Sequence, residues 1–416
     1  KYLIGKSDEN KDEFDILLFA SRDIVEIHIP SNIKIISSYA FEYCEELSKF
    51  EISSNSNLQT IESYAFSESK IKEIYFPSSL KELKEGWCNV TYNLTKIAIS
   101  PLNSQFKLIE DKYLIGKSDS KKDEYDILLF GSRDIKEISI PSKIKIISSC
   151  AFESCSNLTK VEFETNSNLQ IIKSYSFNST NIKEIFIPSK VSKICENAFS
   201  YCANLTKIEI PSNSNLQTIE SCAFSRSNIK EIYFPSSLKE LKERWCNVTY
   251  NLTKIIISSL NSQFKLIEDK YLIGKSDSKK DEYDILLFGS RDIKEISIPS
   301  KIKIISSCAF ESCSNLTKVE FETNSNLQII ESFAFSQTNI KEIFIPSKVS
   351  KICRDAFFGC FNLRKVEFEA NSNLQIIEPF AFSQTKIKEI FIPSKVSKIC
   401  DYAFCECYNL TKLQIP

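Results

Sequence analysis

The sequence predicts a β-rich solenoid, a stack of short coils rather than a string of separate domains. Three observations predict it. One motif recurs along the chain. Its copies follow each other too closely for each to fold alone. Each well-formed copy holds a strand-like run of alternating apolar residues.

The motif is clearest over residues 182–202. Ile182, Ile185 and Ile187 lead into Pro188 and Ser189, and Val191 and Ile194 lead into Ala198, Phe199 and Cys202. The phenylalanine of the Ala-Phe or Ser-Phe pair returns at 152, 177, 199 and 224, then at 310, 335, 357, 382 and 404, in steps alternating between 25 and 22 residues. Each step contains one L-x-x-L-x-L spacing with Ile substituting freely, as in Leu205, Ile208 and Ile210. β-branched Ile suits a strand, and residues two apart share a face. Pro188 ends its strand because it has no N–H to give. So small a coil holds too few apolar side chains to offset the entropy of ordering it. Coils must therefore stack, about 4.8 Å apart. The expected product is a parallel sheet along a concave face. The Ala-Phe-x-x-Cys segments should lie on the convex face as short helical turns or irregular segments, with Phe and Cys filling the interior. Roughly 17–18 coils are expected, irregular ones included.

A longer repetition overlies the short one. Residues 112–172 and 270–330 are identical, 158 residues apart. Residues 71–119 and 229–277 differ only at Gly86/Arg244, Ala98/Ile256 and Pro101/Ser259. One module breaks the period at 103–130 and 261–288, and its second half opens the chain at 1–19. Two apolar runs around a charged turn predict a β-hairpin there.

Composition narrows the function. Hydrophobic content of 42% and charged content of 26% fit a folded repeat protein. A net charge of −1 supplies no basic field to gather nucleic acid or an acidic membrane. No apolar run reaches the roughly 18–20 residues that span a bilayer. No signal peptide is visible, and methionine is absent. We therefore read residues 1–416 as a single solenoid, a fragment of a longer protein.

The repeat unit resembles the BspA-like leucine-rich repeat family, which also carries a unit like residues 103–130. The resemblance covers essentially the whole chain. It implies a leucine-rich repeat solenoid on the surface of a microbe or protozoan parasite, adhering to host cells, matrix proteins or other microbes. The partner would be a protein of the host surface or extracellular matrix. The implied location is the cell surface or outside the cell, with any membrane attachment through an anchor beyond this chain. An intracellular leucine-rich repeat scaffold is the alternative.

In an L-x-x-L-x-L strand the third and fifth positions face outward. The third reads Glu137, Lys160, Glu184, Lys207, Glu231 and Lys254. The fifth reads Ser139, Glu162, Phe186, Glu209, Tyr233 and Ile256, and later Ser297, Glu320, Phe344, Glu367, Phe391 and Gln414. Such a surface is either a solvated charge ladder or a contact face, because exposed large apolar groups in rows usually await a partner. The candidate partner-binding residues are Tyr75, Glu184, Phe186, Glu231, Tyr233, Glu342, Phe344, Glu389 and Phe391.

No catalytic residue, cofactor or small-molecule substrate is expected. His28 is the single histidine and falls on an outward strand position. Gly116-Lys117-Ser118 ends like a phosphate loop, but Asp111 stands where its first glycine should be. Cys44, Cys155, Cys202, Cys313, Cys360 and Cys407 each follow a repeat Phe by three residues. That placement reads as a column of buried thiols. Disulfides between neighbours such as Cys195 and Cys202 are the alternative. Cys400, Cys405 and Cys407 lack a second Cys pair or a nearby His, so no metal site is expected. Acceptor sequons for N-glycans occur at Asn89, Asn93, Asn157, Asn178, Asn204, Asn247, Asn251, Asn315 and Asn409. Trp87 and Trp245 should pack the irregular coils.

Overall fold

Wherever the L-x-x-L-x-L spacing occurs, alternation becomes a short strand with one wet face. Glu137–Ile140 buries Ile138 and Ile140 and exposes Glu137 and Ser139, and the neighbouring Lys160–Phe163 runs parallel to it with Glu137 opposite Lys160. The computed structural model describes residues 1–10 and 12–415. The chain divides into two compact units, Lys1–Thr206 with Ser214–Ser227, and Lys207–Asn213 with Asn228–Pro416. Each unit is a β-solenoid of stacked coils.

The expected single sheet is replaced by two kinds of ladder. The four-residue strands pair in twos, for example Glu26–Ile29 with Lys49–Ile52 and Glu342–Ile345 with Lys365–Phe368. Coil length explains the breaks. Six residues separate Ile140 from Ile146 across a Pro-Ser corner, and eight separate Phe163 from Ile171 across an Asn-Ser-Asn corner. Pairing stops after the strand that enters the longer corner. The continuous ladder is built instead from two-residue strands just beyond the corner. In the first unit Ile146–Ile147, Ile171–Ile172, Lys193–Ile194 and Thr218–Ile219 run parallel in sequence. In the second, Ile304–Ile305, Ile329–Ile330, Lys351–Ile352, Ile376–Ile377 and Lys398–Ile399 do the same.

The Ala-Phe-x-x-Cys segments are not helical turns; no helix occurs among the described residues. Amides there alternate between two tasks. Ala151, Glu153 and Cys155 each close a turn on the carbonyl three residues back, at 3.2, 3.2 and 3.1 Å. Phe152 and Ser154 donate to Ser176 and Asn178 of the next coil, at 2.7 and 2.8 Å. A helix would use all of these amides within itself. The zigzag requires left-handed residues at Cys150 (φ 61) and Ser154 (φ 60), positions held elsewhere by Tyr39, Tyr64, Asn197 and Asp355.

Stacking places equivalent side chains in columns. Phe152, Phe177, Phe199 and Phe224 stack at centroid distances of 5.1, 5.2 and 5.7 Å in the first unit. The cysteine column lies beside them. The thiols of Cys202, Cys360 and Cys407 each donate to the carbonyl of the preceding repeat Phe at 3.1 Å. No disulfide links Cys195 to Cys202 or joins any other cysteines among the described residues. Burial pushes the Cys202 and Cys360 thiols up to about 11, and those of Cys88 and Cys246 up to about 12. The fold thus holds neutral thiols. This contribution to stability is complete below the ordinary thiol range and is lost as pH rises through about 11–12. We expect the native protein at pH 8 to react with iodoacetamide far more slowly than the urea-unfolded chain. We also expect the urea midpoint to fall above pH 9. Rapid native labelling of Cys202 or Cys360 by peptide mapping would contradict this.

The irregular module is a three-stranded antiparallel meander rather than a hairpin. Its strands are Phe106–Ile109, Tyr113–Lys117 and Tyr125–Gly131. The first apolar run splits at Glu110 and Asp111, both left-handed (φ 50 and 53), in the mirror-image turn that suits strand twist. Its last strand pairs parallel with Ile146–Ile147 and so starts the ladder. The second unit repeats this with Phe264–Ile267, Tyr271–Gly274 and Ile285–Gly289. Trp87 packs the irregular coil, edge-on to Phe76 at 5.7 Å and tilted on Phe130 at 6.0 Å.

Candidate protein-interaction face

The outward side chains of the four-residue strands form the candidate site. In the second unit they read Ser297, Glu320, Phe344, Glu367, Phe391 and Gln414, with Phe344 opposite Glu367 and Phe391 opposite Gln414. Strand alternation sets this, because Ile343, Ile345 and Ile390 take the buried places. Phe344 and Phe391 are 49% and 51% exposed, and Phe186 of the first unit is 48% exposed. Tyr75 and Tyr233 are only half-buried. Tyr75 leans on the core of its unit beside Ala98, and Tyr233 stands opposite Ile256.

Charges are distributed differently from the expected ladder between strands. Where the fifth position is Glu, the lysine two residues earlier pairs within its own strand. Lys160–Glu162, Lys318–Glu320 and Lys365–Glu367 lie at 2.7, 2.7 and 2.8 Å. Hydrogen bonding to Glu320 and Glu367 holds the Lys318 and Lys365 ammonium groups above the usual lysine range. Where the fifth position is Ala98 or Ile256, the lysine reaches across instead. Lys96 then meets Glu73 at 3.0 Å and Lys254 meets Glu231 at 3.1 Å. Among the described residues Glu342 and Glu389 make no ion pair, and Lys412 sits over the Phe391 ring at 4.8 Å. Glu184 is exposed like them. A groove of about 830 Å³ runs along these strands, with Glu342 and Phe344 in its wall beside Ser297, Glu320 and Lys365. The surface is open and amphipathic, with most of its carboxylates paired to lysines and Glu342 and Glu389 outside any ion pair among the described residues. It can grip another surface.

The remaining expectations are placed as follows. His28 is on the surface, with Glu51 at 3.5 Å and Ser53 at 3.1 Å. Lys117 spans Asp123 at 3.0 Å and the Tyr125 ring at 5.0 Å. Asn178 and Asn247 are buried, Asn89 and Asn93 are half-buried, and Asn157, Asn204, Asn251, Asn315 and Asn409 are exposed. Arg133 is the residue that sequence reasoning missed. It is 3% exposed, and its guanidinium reaches the carbonyls of Ala151, Thr91, Cys88, Cys150 and Gly131 at 3.0–3.3 Å. Beside it, buried Glu153 accepts from Asn89 Nδ2 and the Val90 amide, both at 2.9 Å. Burial raises the Glu153 carboxyl.

Stacked coils, paired outward strands and a restarting meander define a leucine-rich repeat protein. The chain belongs to the BspA type leucine rich repeat family, which matches residues 14–115, 128–268 and 286–411. Two solved structures share the fold. A leucine rich cell surface protein from Faecalibacterium prausnitzii is 18% identical over 99% of this chain and 86% of its own, with a TM-score of 0.51. The pneumococcal vaccine antigen PcpA is 16% identical over 99% of this chain and 78% of its own, with a TM-score of 0.52. A comparison with curated proteins finds no match.

Proposed function

We propose that the chain is a non-enzymatic binding protein of a cell surface. Its outward strand face would adhere to a protein of a host cell or of the extracellular matrix. One observation carries the reading. Phe344 and Phe391 stay half exposed at strand positions that solvent contact would fill with polar residues. Phe186 does the same in the other unit. These rings would anchor, and Glu184, Glu231, Glu342 and Glu389 would orient, each contact being weak and the repetition giving avidity. The names of the two structural neighbours, a cell surface protein and a vaccine antigen, support the location.

The test is binding of the full chain to host-type cells and a matrix-protein panel, beside the Phe186/Tyr233/Phe344/Phe391→Ser variant. We expect saturable binding by the parent and at least about tenfold weaker binding by the variant. Equal binding by both would move the site off this face. The buried cysteine column, held without disulfides among the described residues, favours a second reading, an intracellular scaffold using the same face. Glycans found at exposed Asn157, Asn204, Asn315 or Asn409 would exclude it.

A further inference from the structure

The two near-identical blocks let the chain serve as its own comparison. Residues 71–172 and 229–330 differ at Gly86/Arg244, Ala98/Ile256 and Pro101/Ser259, and just past them stand Lys173/Glu331 and Tyr175/Phe333. Three of these five differences gather at one place in each unit, the joint where the coil before the meander meets the coil after it.

The ladder of two-residue strands breaks there. Glu82–Leu83 and Glu240–Leu241 are the last strands of their sheets, and each next ladder starts from a meander. Side chains take over the tie. Among the described residues no main-chain hydrogen bond joins 84–91 to 148–155. Instead the Val90 amide donates to Glu153 at 2.9 Å, and its counterpart, the Val248 amide, donates to Glu311 at 3.1 Å.

The rest of the tie differs between the units. In the first, Glu85 accepts from the Ser149 hydroxyl at 3.2 Å and pairs with Lys173. In the second, Glu243 and Ser307 keep their places, but Glu331 stands where the lysine was. The Ser307 oxygen lies 3.4 Å from Glu243 and 3.3 Å from Glu331, and the Ser307 amide donates to Glu331 at 2.8 Å. A hydroxyl carries one hydrogen, so two carboxylates compete for it while their like charges repel.

Nearby cations are engaged elsewhere. Arg244 turns over the Phe333 ring, its guanidinium carbon 5.4 Å from the centroid. Lys242 bonds Glu240 at 2.5 Å, Lys351 bonds Glu378 at 2.7 Å and Arg354 bonds Asp355 at 3.1 Å. Among the described residues no cation pairs with Glu243 or Glu331. The remaining titratable neighbours are Glu311 and the thiols of Cys308 and Cys353, which burial keeps neutral. Burial and then the Glu243 charge raise the Glu331 carboxyl, against the pull of the Ser307 hydrogen bonds.

We propose that the joint of the second unit is a pH-responsive contact, in which a proton taken up between Glu243 and Glu331 completes the bridge through the Ser307 hydroxyl and tightens the two coils. The joint of the first unit is closed by its lysine and needs both charges of the Lys173–Glu85 pair. The two joints therefore respond to acid in opposite directions. The sign follows from the raised carboxyl: its contribution to stability is complete below the ordinary carboxyl range and is lost as pH rises through the folded value. This regulation lies apart from the outward phenylalanines and does not depend on what they bind.

The test is amide hydrogen exchange of the full chain at pH 5 and pH 7.5, corrected for intrinsic rates. Peptides covering 244–249 and 86–91 report the two joints separately, because Arg244 and Gly86 give them different masses. Glu331→Gln keeps the acceptor for the Ser307 amide and supplies the missing hydrogen. We expect it to raise protection of 244–249 at pH 7.5 by about two- to fivefold, the range of a partly exposed charge pair, and by less at pH 5. Glu243→Gln should do the same, and Glu331→Gln added to it should gain little more. Lys173→Glu, which installs the second unit's residue in the first, should lower protection of 86–91 more at pH 7.5 than at pH 5. Lower protection with Glu331→Gln at pH 7.5, or an equal change at both pH values, would overturn the proposal. So would full additivity of the two Glu→Gln changes.

Discussion

Replacing Phe335 by alanine is expected to destabilise the second unit by about 3–5 kcal/mol. Phe344→Ala, nine residues on, should cost less than about 1 kcal/mol. Both rings belong to the same repeat, and only their columns differ. Phe335 is fully buried and stacks between Phe310 and Phe357 at 5.2 and 5.3 Å, with rings within 6° of parallel. Its carbonyl also accepts from the Cys360 thiol and the Thr338 hydroxyl. Removing the ring opens a cavity that neighbouring coils cannot close without breaking their own ladder. In a stack whose units contact only neighbours, that loss is paid at two interfaces. The measurement is urea unfolding followed by tryptophan fluorescence in a Trp87→Phe background. Trp245, in the same unit, then supplies the signal. A loss under about 1 kcal/mol for Phe335→Ala would mean that the phenylalanine column does not hold the unit together.

The same pair shows what was legible beforehand. Phe335 returns at the repeat spacing and so had to be internal, and Phe344 follows Ile343 and so had to point outward. The core and the outward face could be read because both rest on period-two alternation and fixed repeat length. The turn geometry could not. Its left-handed positions are filled by Tyr39, Cys150, Asn197 and Asp355, with glycine only at Gly86 and Gly359, so the residue signal for such turns was missing. The pairing of strands in twos follows from a two-residue difference between corners, visible as alternating steps of 25 and 22 residues but silent about which strands part. The ion pairs depended on where a flexible lysine finds its nearest carboxylate. Arg133 was illegible for a plainer reason: a charged residue in a loop reads as surface until its acceptors are in place.

Arg133 carries the second large effect. Arg133→Met is expected to destabilise the first unit by about 3–5 kcal/mol, and Arg133→Lys to recover little of it. The planar guanidinium fans its donors to carbonyls on both sides of the meander. Cys88 and Thr91 lie before it, and Cys150 and Ala151 lie in the coil that restarts the ladder. Methionine can fill the volume over Phe130, where the guanidinium carbon sits 4.7 Å from the ring centroid. It withdraws the guanidinium donors and leaves those buried carbonyls only their backbone or hydroxyl donors, and a lysine ammonium cannot reach such spread acceptors. A pH test separates this from simple packing loss. Burial raises the Glu153 carboxyl, while the Val90 amide and the Arg133 charge pull it back down. Without the arginine its folded pKa rises further, so the fold favours the protonated acid more strongly. Stability linked to a raised carboxyl is complete below its unfolded pKa and is lost as pH rises through the folded one. The penalty of Arg133→Met should therefore be larger at pH 7 than at pH 4.5, read as the difference in urea midpoint from the parent. Measured against Glu153→Gln alone, an Arg133→Met/Glu153→Gln double variant should show no such pH dependence. A penalty independent of pH would assign Arg133 to packing alone.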